Sequence, residues 1–355
     1  MSAETPAPAA PARKFVLASR TSQLAQVQTF IVQDALRAAF PGTSFETSFM
    51  TTGGDHNQSQ ALYLLGGKSL WTKELEVALK EGVVDMLVHS FKDVPTVLPD
   101  GCVIAGVLER EDPVDSLIVK QGLPYKTVEE LPDGSVVGTS SVRRVAQLKR
   151  KFPKLVFKDV RGNLNTRLAK LDAADSPYTA LILAKAGVLR MGGDWHTRIS
   201  SDIPPPTLFH AVSQGALGIE VRADDAAAIA LCRAITHTPS EWRCAAERAC
   251  LRVLEGGCSV PVGVSTRLVQ GAAGATLSIT GCVTSLGGDR HVEHALEGPV
   301  ASVADAEALG SRLAKVLIET GAKEILDEIT EDREKRIGEA KTEEEKQKIE
   351  AAIAA

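Results

Sequence analysis

Ser135-Val136-Val137-Gly138-Thr139-Ser140-Ser141-Val142-Arg143-Arg144 opens the stretch that decides the fold, because its order of apolar strand, short polar turn and helix returns twice before Gly192. Leu155-Val156-Phe157 leads through Arg161-Gly162-Asn163 into a helix holding Arg167, and Ala180-Leu181-Ile182-Leu183 leads through Lys185-Ala186-Gly187 into a helical turn ending at Arg190. Strands alternating with helices predict a parallel sheet, and right-handed crossovers place every strand-to-helix turn along one edge. Ligands of open α/β sheets sit outside those strand ends, where helix N-termini add partial positive charge. Arg143, Arg144, Arg161, Arg167 and Arg190 are therefore expected to converge, and a ligand with several carboxylates or phosphates suits their forked guanidinium groups.

Upstream, Phe15 to Ala18 reads as a strand, and the helical period of Leu24, Val27, Ile31 and Leu36 follows Ser22 as N-cap. A second helix fits Thr72 to Glu81 with Gly82 closing it, followed by an apolar strand from Val83 to Val88. That strand delivers the polar turn His89-Ser90-Phe91-Lys92-Asp93. Downstream of Pro204-Pro205-Pro206, a helix-rich stretch runs to Leu254 and a glycine-bracketed loop holds Cys258. Alternating segments near 262–268, 276–284 and 290–296 predict a small antiparallel sheet, covered by a helix over 303–319. Gly53-Gly54 and Gly66-Gly67 bracket a polar segment that reads equally as a lid or a surface loop.

At 355 residues the chain suits two or three domains. A net charge of −5 with 4% aromatic residues gives no global attraction to nucleic acid, so an anionic partner needs a local basic cluster. No apolar run approaches the roughly 20 residues that span a bilayer, and the Ala/Pro-rich start resembles no secretory signal, so the expected compartment is the cytosol. Six cysteines without CxxC pairing argue against a disulfide framework, and the spacing of Cys244, Cys250 and Cys258 fits no zinc template; no metal is expected. Five cysteines read as small buried hydrophobes. Cys258, between flexible glycines, is either a buried loop thiol or a nucleophile whose thiolate a basic cluster would favour. Lys92-Asp93 is either a surface ion pair or a reactive pair, with Asp93 kept ionised by nearby arginines. His89 is a candidate base or a structural histidine.

Taken in order, six motifs resemble the porphobilinogen deaminase (hydroxymethylbilane synthase) family between Lys14 and about Ile329. They are Leu17-Ala18-Ser19-Arg20-Thr21-Ser22-Gln23-Leu24-Ala25, Val88-His89-Ser90-Phe91-Lys92-Asp93-Val94-Pro95-Thr96, Val137-Gly138-Thr139-Ser140-Ser141-Val142-Arg143-Arg144, Val160-Arg161-Gly162-Asn163-Leu164-Asn165-Thr166-Arg167-Leu168, Gln214-Gly215-Ala216-Leu217-Gly218-Ile219-Glu220 and Glu255-Gly256-Gly257-Cys258-Ser259-Val260-Pro261. The resemblance implies an α/β fold, with two domains like type II periplasmic binding proteins and a smaller C-terminal α/β domain bearing a short antiparallel sheet. By that analogy 14–110 and 213–236 form the first domain, 111–212 the second and 237–330 the third, between a disordered tail (1–13) and a charged tail (331–355).

The resemblance also implies a transferase whose dipyrromethane cofactor is held by a thioether to Cys258. Four porphobilinogen molecules add to it with loss of ammonia, and hydrolysis releases hydroxymethylbilane for tetrapyrrole and haem biosynthesis. Asp93, with Lys92 beside it, matches the catalytic position. Lys92, Asp93, Ser140, Ser141, Arg143, Arg144, Arg161 and Gly162 match positions around the cofactor. Arg20, Ser22, Gln28, Arg161, Arg167, Arg190 and Gln214 match those around substrate and growing chain. The partner is then a small molecule, without nucleic acid or membrane, and the chain is expected as a monomer. Departures are Leu64 where the family often has lysine, Ser213 where glycine is common, and the charged tail. The competing reading is a non-catalytic small-anion receptor on the same architecture, which has no use for a tethering thiol.

Overall fold

The computed structural model describes residues 13–52, 72–254, 260–272, 274–332, 334–335 and 339. The expectations for the N-terminal tail, the 53–67 segment, the loop holding Cys258 and the end of the charged tail fall outside those residues.

The two-residue side-chain period of β1 (Phe15–Arg20) puts Phe15 and Leu17 in one core with Val32 and Leu36 of α1 (Gln23–Ala39). Ser22 caps α1, accepting from the Ala25 N–H at 3.4 Å. β2 (Phe45–Met50) and β3 (Met86–Ser90) flank β1 in parallel. α2 (Lys73–Lys80) matches the expected helix, but β3 starts three residues later than the predicted Val83. Gly82 at φ 73° turns the chain so that the Val83 N–H finishes the helix on Ala78 O at 3.0 Å, which leaves Val83 63% exposed. β4 (Cys102–Val107) lies at the far side, and β10 (Leu217–Arg222) inserts between β3 and β4, antiparallel to both.

The second sheet has the order β7-β6-β8-β5-β9. The three predicted units are present: β6 (Val136–Gly138) with α3 (Val142–Lys151), β7 (Val156–Lys158) with α4 (Leu164–Asp172), and β8 (Ala180–Ala184) with α5 (Lys185–Arg190). Their strands are parallel as expected. The sheet as a whole is mixed, because β5 (Asp115–Val119) pairs antiparallel with β8 and with β9 (Ser201–Ile203). β5 is buried at every position, so no alternation in the sequence reports its direction; the direction is set by where the chain arrives from the first sheet.

The third sheet is the expected antiparallel one, β11 (Val262–Gly271), β12 (Gly274–Thr284) and β13 (His291–Val300). Against its core pack α7 (Thr238–Leu254) and α8 (Val303–Leu317), and α6 (Ala226–Ala234) packs on the first sheet.

Two segments carry the chain between the first two sheets, and they lie side by side. The Leu108 N–H donates to Leu217 O and the Glu111 N–H to Gly215 O, both at 3.3 Å. Gly215, at φ 88°, admits the approach, since a Cβ there would sit 2.4 Å from Glu111 O. Between them Arg110 is gripped by Glu247 of α7, Nη1 to Oε1 at 2.7 Å and Nη2 to Oε2 at 3.0 Å, with both side chains buried. Glu247 also accepts from the Ser213 N–H at 2.7 Å and from Thr266 Oγ1 at 2.5 Å. Ser213 stands at φ 59°, in the left-handed region that favours glycine.

One carboxylate thus joins both crossings to the third sheet. Although burial alone would raise its pKa, Arg110 and its other partners hold it down to about 2 from an ordinary 4.5. The stabilisation is complete above pH 4.5 and lost as pH falls from there toward 2. Glu247→Gln, leaving Arg110 buried without its counter-charge, is expected to lower stability by about 3–5 kcal/mol in urea unfolding and to flatten that acid limb; unchanged stability at neutral pH would show the pair to be dispensable.

Candidate functional site

Strand direction brings the site together. β3 and β4 end at one rim of the first sheet, and β10, running the other way, begins there, with Leu217 opposite Ser90 and Gly218 opposite Val107. The turn Phe91–Asp93, one winding of 3₁₀ helix, therefore faces Gln214, which precedes β10. In the second sheet Asp115 opens β5 opposite Ala184, the last residue of β8, at the rim where the helices of the repeated units begin.

A continuous polar chain links the two rims. Lys92 Nζ donates to Gln214 Oε1 at 3.3 Å, and Gln214 Nε2 donates to Asp115 Oδ1 at 2.9 Å and to Pro113 O at 2.7 Å. Asp115, with no exposed surface, also receives Arg143 Nη2 at 2.8 Å and Arg144 Nη2 and Nε at 2.7 and 3.1 Å. The remaining guanidinium nitrogens reach backbone, Arg143 Nη1 to Phe209 O at 2.6 Å and Arg144 Nη1 to Ile182 O at 2.7 Å. Both arginines are less than a tenth exposed.

Positive charge outweighs negative here. Burial favours the neutral form of Asp115, yet Arg143 and Arg144 hold it well below the usual carboxylate range. Burial pushes the Lys92 ammonium down to about 8, with Arg144 and Arg143 adding to the effect and Asp93 and Asp115 opposing it. Arg167 is pushed down to about 10 by burial and by its neighbours Arg144 and Arg161, against Asp159 and Asp93. Arg190 is lowered to about 10 by burial; its Nη2 reaches Gly215 O at 2.7 Å, and its buried Nε has no partner among the described residues. Cations held at such cost are stabilised by an arriving anion, and the donor set of guanidinium and ammonium groups fits acidic side arms.

Of the other expected site residues, Ser141 caps α3, its hydroxyl 3.5 Å from the Arg144 N–H, and Ser140 Oγ donates to Val160 O at 2.7 Å while accepting from the Val160 N–H at 3.2 Å. Ser140 thus ties together the turns of two repeated units. Gly162, at φ 110°, offers its carbonyl to Arg167 Nε at 2.7 Å. Gln28 accepts from Ser90 Oγ at 2.9 Å and so braces β3 just before the turn that carries Asp93. Arg20 ends β1, and Arg161 lies buried in the turn after β7. Cys258 lies outside the described residues; the flanking Leu254 ends α7, and Val260 packs against the third core.

The sequence reading missed Asp115 and the Arg110–Glu247 pair. The signal for Asp115 was present: an aspartate opening a strand that runs into Leu117-Ile118-Val119 must meet a cation when buried. His89 is a structural histidine, its Nε2 3.0 Å from buried Glu220. The five described cysteines are buried, and burial raises their thiols, Cys102, Cys232, Cys250 and Cys282 to about 12. No group of three potential metal ligands occurs among the described residues.

Comparison with known proteins places this chain in a family. Residues 15–230 match the model described as "Porphobilinogen deaminase, dipyromethane cofactor binding domain", and 242–319 match "Porphobilinogen deaminase, C-terminal domain". A porphobilinogen deaminase of Synechococcus elongatus is 52% identical over 319 residues, covering 90% of this chain and 96% of its own. One from Yarrowia lipolytica is 48% identical over 321 residues, covering 89% and 93%. Among solved structures, the BenM effector binding domain with its effector benzoate aligns with a TM-score of 0.37 and 16% identity, over 62% of this chain and 90% of that one. The chain belongs to the porphobilinogen deaminase family.

Proposed function

We propose that this chain is a transferase that condenses four porphobilinogen molecules, with release of four ammonia, on a dipyrromethane joined by a thioether to Cys258, and then hydrolyses the product to hydroxymethylbilane. The observation that carries the reading is the surplus of buried positive charge beside Asp93, at a rim shared by two sheets. Each pyrrole brings two carboxylates, so a lengthening chain needs several cationic contacts rather than one. A simple receptor for one small anion has no need of a reactive carboxylate among them. When bound, the dipyrromethane supplies the pyrrole carbon to which the first substrate is joined.

Each residue then has a task. Lys92, Ser140, Ser141, Arg143, Arg144, Arg161 and Gly162 line the cofactor position, with Asp115 fixing the two adjacent guanidinium groups in orientation. Arg20, Ser22, Gln28, Arg161, Arg167, Arg190 and Gln214 serve the incoming substrate and the growing chain. Asp93, beside Lys92 and near Arg167, stabilises the positive charge that develops on the pyrrole nitrogen as ammonia departs. Lys92 holds a ligand carboxylate next to it. The domain division that goes with this reading is 14–110 with 213–236, then 111–212, then 237–330, flanked by terminal tails. The chain acts as a monomer in the cytosol on a small-molecule substrate, without nucleic acid; no helix among the described residues is long and apolar enough to cross a membrane.

Intact mass of the purified protein is expected to exceed that of the chain by one dipyrromethane, and the excess to vanish in Cys258→Ala; active protein of unmodified mass would refute the covalent scheme. Asp93→Asn is expected to retain the adduct while porphobilinogen consumption, followed with ammonia release, falls by roughly two to four orders of magnitude. Wild-type turnover in that variant would remove Asp93 from the reaction. Because Lys92 loses its proton as pH rises through about 8 in the unliganded site, uptake of the dipyrromethane by apoprotein, read by intact mass, is expected to fall above that pH. Lys92→Arg, protonated throughout, should keep that uptake flat to pH 9, and an unchanged fall would assign the titration to another group.

A further inference from the structure

The turn that carries Asp93 is packed through Phe91 and Val94, both buried. Its backbone is fixed by the Phe91 N–H on Ala216 O at 3.0 Å and the Val94 N–H on Phe91 O at 3.3 Å, and regular structure resumes only at Cys102. The carbonyls immediately after Asp93 are taken by one side chain from the third sheet's helix: Arg248 of α7 donates Nη1 to Val94 O at 3.1 Å and Nη2 to Pro95 O at 2.5 Å. The same guanidinium lies 4.5 Å from the centroid of the Phe91 ring. That ring also meets Gly218 of β10, where a Cβ would come within 2.7 Å of Phe91 Cδ2. Residues 91, 94 and 95 are thus clamped around Asp93 by an arginine that is itself 8% exposed.

We propose that Arg248 is a positioning residue for Asp93, a role that rests on the deaminase reading above. Only a planar fork can serve two adjacent carbonyls and stack on a ring at once, which a lysine cannot do. The helix it projects from is anchored through the preceding residue, Glu247, to both chain crossings. That helix ends at Leu254, four residues before Cys258 in the sequence. One helix therefore leads along the sequence toward the tethering cysteine and also holds the backbone that follows Asp93. Misplacement by about 1 Å at a reacting centre can cost about 100-fold in rate, so the clamp has room to matter without touching substrate.

The test is a double-mutant cycle on the holoenzyme, Arg248→Gln in the wild-type and Asp93→Asn backgrounds, with adduct occupancy by intact mass and kcat and KM measured separately. Expected are full occupancy, KM within about 2-fold, and kcat lowered about 10- to 100-fold in the wild-type background but scarcely further in Asp93→Asn, with Arg248→Lys recovering only part. Equal fold-losses in both backgrounds, or an unchanged kcat, overturn the proposal. If Arg248→Gln does not fold, Phe91→Leu must show the same Asp93-dependent loss, and wild-type kcat in Phe91→Leu overturns it equally. Absence of porphobilinogen consumption by the wild-type holoenzyme would instead defeat the functional reading itself.

Discussion

A single buried carboxylate, Asp115, makes the rest of the site possible. Two consecutive arginines, Arg143 and Arg144, are sunk at the start of one helix, where each would repel the other and both would lose their hydration. A carboxylate that accepts from both lowers that cost and fixes the planes of the two guanidinium groups. One negative charge against two positive ones leaves a surplus, which Lys92, Arg161, Arg167 and Arg190 enlarge. The surplus is tolerable because it is the complement of an acidic ligand.

The carboxylate reaches that place through strand direction. β5 runs against β8 and β10 runs against β3, so the first residue of one strand and the loop before the other both lie at the rims where their neighbours end. Gln214 then spans the gap between Lys92 on the first sheet and Asp115 on the second. Were either strand parallel to its neighbour, its polar start would fall at the opposite edge and the chain of contacts would be broken.

The third sheet participates through consecutive residues of one helix. Glu247 closes on Arg110 and on the Ser213 N–H, while Arg248 closes on the turn after β3. The crossings between the first two sheets and the segment bearing Asp93 thus share one support, and a displacement of that helix would be felt at both. Buried ion pairs of this kind fix geometry more than they add stability, since their attraction is largely offset by lost hydration.

Much of this was readable from the residues. The threefold strand–turn–helix pattern named the parallel strands and the rim where the arginines gather, Ser22 and Gly82 marked helix ends, and the alternating segments after residue 260 foretold the antiparallel sheet. The motifs around Lys92-Asp93, Arg143-Arg144 and Cys258 pointed to the family. These signals are local: periodicity, caps and short motifs depend on neighbours along the chain. What only the tertiary structure decided was which distant groups meet. The direction of β5, the burial of Asp115 beneath two arginines, the grip of Glu247 on Arg110 and that of Arg248 on the turn of Asp93 join residues from 28 to 154 positions apart. A strand buried at every position carries no mark of its direction, and a charged side chain carries none of its partner, because both are settled by how separate sheets pack.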